Sequence, residues 1–147
     1  VVNIMKLLNS FEGIYAASLI PMYADYSCNY SELAAHCQDL MRKGCKGIVL
    51  FGTTGEGTLF SLEERQMAIK VLIEKGVDPK NLIIGICCSA LPDAVALART
   101  AVMHECLGTL IVPPFFYKNV EEEGVIAFYR EIIVRVNNPN LKIILYH

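Results

Sequence analysis

Tryptophan is absent from this chain, and charge is scarce. Only 19% of its residues are Asp, Glu, Lys or Arg, against about 25% in ordinary soluble domains, and their sum is −2. With no basic run there is no electrostatic footprint for nucleic acid. No window holds the ~18 uninterrupted apolar residues that a membrane-spanning helix needs, so a membrane partner is not expected. The opening VVNIMKLLNSFEG is too short and too polar to suit a secretory leader. No CxxC pair occurs among the six cysteines, Cys28, Cys37, Cys45, Cys87, Cys88 and Cys106. Most lie inside apolar stretches, and the expectation is reduced, buried thiols in a cytoplasmic protein. The GxSxG elbow of a serine hydrolase and the GK[ST] ending of a phosphate-binding loop are also missing.

Apolar residues are what the chain has in abundance: 54% of 147 positions. Parallel strands covered on both faces give this composition, because they have no polar face. The length suits a single domain, 1–147, with one sizeable core. Strand-like runs alternate with helix-like ones. IYAASLI (14–20) reads as a first strand stopped by Pro21. In SELAAHCQDLMRKG the apolar residues Leu33, Ala34, Cys37, Leu40 and Met41 recur at helical spacing, with Ser31 as N-cap and Gly44 as stop. GIVLF (47–51) is the second strand. Ser61 with Glu64 three residues on matches a capping box and opens a second helix that ends near Gly76. LIIGIC (82–87), PDAVALARTAVMHEC (92–106), GTLIV (108–112), VEEEGVIAFYREIIVRV (120–136) and LKIILY (141–146) continue the alternation.

Two α/β architectures suit that order. An open doubly wound sheet of five strands has about this length. A closed (β/α)8 barrel needs about 250 residues. Length favours the open sheet, and periodicity does not separate the two. Both put ligands at the C-terminal ends of the strands, so candidate site residues are sought there.

The second strand ends in GTTGEG. Glycines at 52, 55 and 57 allow a tight fold that leaves amides uncovered, and with the hydroxyls of Thr53 and Thr54 they form a small receptor suited to a carboxylate. The same letters also suit a plain strand–helix turn whose threonines cap local backbone. Glu56 is either an acid or base or the acceptor that fixes this turn. Tyr146, ending an apolar strand, is either a proton relay or a packed ring with a wetted hydroxyl. Phe115, Phe116 and Tyr117 line a pocket or an interface, or pack their own loop. His147, Glu56 and Cys87 or Cys88 also fall at strand ends, but without metal-ligand spacing, and no metal is expected. His36 and His104 fall on helices.

GTTGEG after a buried strand, IPM closing the first, SLEER after the second, PPFFYKN after the fourth and ILYH ending the fifth occur in one order. Together they resemble the dihydrodipicolinate synthase / N-acetylneuraminate lyase family over essentially the whole chain. The resemblance implies the first five strands and four helices of a (β/α)8 TIM barrel. It implies a class I, Schiff-base lyase acting on pyruvate or another small 2-oxo acid without a cofactor. By that resemblance Thr53 and Thr54 hold the 2-oxo acid, Thr54 binds its carboxylate with nearby amides such as that of Gly55, and Tyr146 sits over the imine and shuttles protons while Thr53 orients the relay. The imine-forming lysine would stand on a sixth strand, roughly 30 residues beyond Tyr146. No lysine of this chain ends a strand in apolar surroundings; Lys118, in the fourth loop, comes nearest. The chain is therefore expected to be inactive by itself.

Two departures bear on substrate. Synthases of the family usually show two tyrosines where this chain has Phe115 and Phe116, although a shifted register brings in Tyr117. Tyr-Asn is common where Tyr146-His147 stands. Both leave room for a sugar-acid 2-oxo aldolase, of 2-keto-3-deoxygluconate or N-acetylneuraminate type. From a different class, a non-enzymatic flavodoxin-like domain that binds a small anion predicts strand order 2-1-3-4-5 instead of 1-2-3-4-5. As half a barrel, the chain would expose two strand edges, so a homo-oligomer or a poorly soluble species is expected.

Overall fold

The computed structural model describes residues 11–146. Short apolar runs become strands β1 (Tyr15–Ala17), β2 (Gly47–Leu50), β3 (Leu82–Ile86), β4 (Gly108–Ile111) and β5 (Ile143–Leu145). Between them lie helices α1 (Tyr30–Arg42), α2 (Leu62–Glu74), α3 (Leu91–Met103) and α4 (Glu122–Val136), with 3-10 turns at Gly57–Leu59 and Pro79–Asn81. All neighbouring strands pair in parallel, and the sheet order is β1-β2-β3-β4-β5.

This order decides the architecture. A doubly wound sheet must reverse direction once, placing helices on both faces. Here each strand lies beside its predecessor, and α1–α2, α2–α3 and α3–α4 pack on one another in succession. The helices therefore form one layer outside an arc of strands, as in the first half of a (β/α)8 barrel. The open-sheet expectation from length is corrected, and with it the flavodoxin-like alternative; chain length carries no information on strand order.

Register divides the sheet residues between two faces. Ile48 and Leu82, Leu50 and Ile84, and Ile86 and Ile111 are paired. They point toward the helices, buried with Leu33, Cys37, Ile69, Leu72, Leu97 and Ile132. Each such side chain contributes about 1.5–3 kcal/mol by leaving water. The opposite face carries Tyr15, Ala17, Val49, Ile83, Leu110 and Ile144, of which Val49, Leu110 and Ile144 are only half-buried. No helix of the described residues is long and apolar enough to cross a membrane.

Several boundaries differ from the sequence expectation. β1 keeps only Tyr15–Ala17 of 14–20; beyond Ser18 the chain leaves the ladder for a small loop closed by an antiparallel Met22–Cys28 bridge. α1 is capped by Asn29, not Ser31: the Asn29 amide is pinned to the Pro21 carbonyl (2.9 Å), which sets its side chain to accept from Glu32 N (3.1 Å). α3 ends at Met103 because the backbone turns left-handed at Glu105 (φ 56°). α4 begins two residues later than expected, at Glu122, and β5 is trimmed to Ile143–Leu145. The capping box is as expected: Ser61 Oγ accepts from Glu64 N (3.1 Å), and Glu64 Oε2 accepts from Ser61 N (2.9 Å). The helix stops at Gly44 and Gly76 have φ of +103° and +87°.

Candidate active site

The loop after β2 is built by close backbone approach. Its left-handed residues are not glycines: Phe51 has φ 57° and Glu56 φ 49°. Phe51 is held there by its fully buried ring, edge-to-face with Phe60 at 5.7 Å. The glycines serve proximity. A Cβ on Gly57 would lie 2.0 Å from the Phe51 carbonyl oxygen, and one on Gly55 would lie 2.6 Å from the Ser18 carbonyl oxygen. The loop closes through Gly57 N to Gly52 O (3.2 Å) and Glu56 N to Thr53 O (3.1 Å). The amides of Thr53, Thr54 and Gly55 donate no hydrogen bond among the described residues. Three consecutive uncommitted N–H groups of this kind suit an anion.

Across the arc, β5 delivers a phenol to this loop. Tyr146 N extends the β4 pairing by donating to Ile111 O (3.1 Å). The same carbonyl accepts the Tyr129 hydroxyl of α4 (3.0 Å), so both lone pairs are used. Thus anchored, Tyr146 Oη lies 3.0 Å from Thr53 Oγ1, and either hydroxyl can donate. A cleft of ≈ 520 Å³ opens beside this pair, walled by Glu56, Thr58, Leu59, Cys87, Val112 and Phe115. Cys87 Sγ donates to Phe51 O at 3.4 Å. Burial pushes the Cys87 thiol up, with the Arg65 charge opposing.

The structure thus brings Thr53 and Tyr146 together, 93 positions apart in sequence. Thr54 is exposed and Gly55 buried, and neither lines this cleft. Phe115 forms part of the wall, whereas Phe116 and Tyr117 are exposed, edge-to-face at 5.1 Å. Tyr117 and Lys118 line an adjoining cleft of ≈ 440 Å³ that also touches Tyr146. Glu56 and Cys87 share the first cleft; His147 lies outside the described residues. Among the described residues no three His, Cys, Asp or Glu side chains gather where a metal could sit.

Arg65, the last residue of SLEER, has no role assigned from the sequence. It is 6% exposed; its Nε donates to Ser61 O (3.4 Å), and its Nη1 is buried with no hydrogen-bond partner among the described residues. A signal existed: Arg65, Ala68, Ile69 and Leu72 share the buried stripe of α2 at helical spacing, so a cation occupies an apolar-face position. Its charge reaches Cys87 and Cys88 at the end of β3 and draws both thiols down against the larger effect of burial.

Comparison with known proteins turns this geometry into a family. The profile of the Dihydrodipicolinate synthetase family matches residues 10–147. The chain belongs to this family. An uncharacterized DapA-like lyase of Chloroflexus aurantiacus is 31% identical over 136 residues, covering 92% of this chain and 45% of that protein. N-acetylneuraminate lyase of Pongo abelii is 30% identical over 138 residues, covering 92% of this chain and 42% of its own. Among solved structures, dihydrodipicolinate synthase from Agrobacterium tumefaciens superimposes with a TM-score of 0.87 at 27% identity, over 92% of this chain and 47% of that one. The chain spans a little under half the length of these family members, and the match is to the half that carries β1–β5.

Proposed function

We propose that this chain supplies the carboxylate-receiving loop and the proton-relay phenol of a Schiff-base lyase acting on pyruvate or a related 2-oxo acid. The observation that carries the reading is the 3.0 Å contact between Thr53 Oγ1 and Tyr146 Oη at the C-terminal edge of the sheet. Membership of a family that includes synthases and lyases supports it. In this reading the free amides of Thr53, Thr54 and Gly55, with the Thr54 hydroxyl, receive the carboxylate. A desolvated lysine on a sixth strand attacks the ketone, water leaves, and the resulting iminium accepts the electron pair of the C–C bond that breaks or forms at the neighbouring carbon. Tyr146 passes the proton, and Thr53 holds the phenol in line.

Borohydride reduction in the presence of pyruvate is the test. The mass of one reduced pyruvate should appear on a protein that carries both this chain and the sixth-strand lysine, and residues 1–147 by themselves should gain nothing. No adduct on the longer protein refutes the reading. Phe116, at the second of the two positions where the resemblance expects tyrosine, carries no hydroxyl, which supports the sugar-acid aldolase variant. Tyr117, sharing the adjoining cleft with Tyr146, supports the synthase variant. Turnover with a sugar-derived 2-oxo acid, compared with condensation of pyruvate with a semialdehyde, separates the two. The free thiols support a reducing, cytoplasmic setting.

A further inference from the structure

Cys87 lines the cleft with Thr53 and Tyr146, and its thiol donates to the Phe51 carbonyl at 3.4 Å. That carbonyl is confined. Positions 57 and 85 must both be glycine to admit it, since a Cβ at either would lie 2.0 and 2.5 Å from the oxygen. The backbone of Phe51 is left-handed (φ 57°), a conformation that a bulky residue keeps only when its surroundings enforce it. Thr53 follows two residues later, so the direction of the Phe51 carbonyl sets where the loop, and with it the Thr53 hydroxyl, points.

We propose that Cys87 is a positioning residue: its hydrogen bond to the Phe51 carbonyl locks the entry to the Gly52–Gly57 loop and thereby presents the Thr53 hydroxyl to Tyr146. A thiol suits this place. Sulfur reaches farther than a hydroxyl oxygen, and its weak S–H bond satisfies a buried carbonyl without demanding a second partner. Burial raises its pKa, so the donor proton is retained at neutral pH. Alanine is smaller than cysteine and valine larger, and neither has a donor; serine keeps a donor with less reach.

The inference rests on Thr53 and Tyr146 being a working pair, but its test needs no substrate. In the longer protein that carries both this chain and the sixth-strand lysine, ring-labelled tyrosine reports on the phenols by NMR, and the Tyr146 signal is assigned with Y146F. In C87A and C87V the Tyr146 signal should move toward its position in T53V, whereas C87S should restore it toward wild type. Tyr30, at the start of α1, should stay put throughout. Two non-donor variants of different volume guard against one of them failing to fold. A Tyr146 signal unmoved in the folded non-donor variants overturns the proposal. So does one that moves in C87A but not in C87V, which makes volume the cause, and so does a failure of serine to restore it. A negative borohydride result would leave these shifts unchanged, so failure of the functional reading and failure of this inference are distinguishable.

Discussion

At the scale of single residues, the site depends on what glycine lacks. Gly57→Ala pushes a methyl into the Phe51 carbonyl at 2.0 Å, where the obstacle is backbone and does not swing away. Destabilisation of roughly 2–4 kcal/mol is expected by urea unfolding. Gly124→Ala in α4 is the contrast: its Cβ meets nothing within 4 Å, and the helix gains up to about 1 kcal/mol. Equal effects of the two substitutions would contradict the close approach of the Phe51 carbonyl to Gly57. The thiols give a pH dependence. Burial raises Cys28 and Cys37 to about 11 and Cys106 to about 12. An unfolded thiol ionises at about 8.5. Below that pH both states hold the proton and stability is unaffected. Between about 8.5 and 11 the unfolded chain sheds protons that the fold retains, so stability falls as pH rises. Midpoints of urea unfolding should drop from pH 8 to pH 10.5, and Cys37→Ala should flatten part of that slope.

At the scale of elements, caps decide where helices begin. Ser61→Ala removes one arm of the α2 capping box and leaves the Glu64 amide without its acceptor. A loss of about 1 kcal/mol is expected, read as a lower thermal midpoint with no change in the Thr53–Tyr146 contact. That box was legible in the letters SLEE because a capping box is local: four residues hold all of it. The same locality made every helix and strand visible as a run or a period. What the letters did not show was settled by distant partners. Asn29 outcompetes Ser31 as a cap because Pro21, eight positions back, holds its amide. β1 is short because the Met22–Cys28 bridge draws the chain away. Within the candidate site, strand-end position marks Thr53, Thr54 and Tyr146, but two hydroxyls and a phenol in a turn and a strand end are also common structural residues, and only the family resemblance chooses between the readings. The glycines were recognised, but their task was not: they admit carbonyls at close range, while Phe51 and Glu56 take the left-handed backbone. Cys87 was visible at a strand end, yet its partner, a carbonyl 36 positions away, was not.

At the scale of the molecule, among the described residues β1 and β5 each pair on one side only. Apolar side chains stand at both margins: Ile14 is 73% exposed and Leu145 70%. On α4, Ile126, Ile133 and Val134 also face solvent. Free edges flanked by apolar surface invite further chain. Residues 1–147 by themselves are expected to associate, and light scattering on that species should give a mass above one chain; a stable monomer at high concentration would contradict this. The strand order also has a consequence for how the protein is made. Because each strand pairs with the one synthesised just before it, a nascent chain leaving the ribosome need not wait for a distant segment to extend its sheet. Each new strand finds its partner already made, so one unpaired margin moves forward with the newest strand while the margin of β1 stays open behind it.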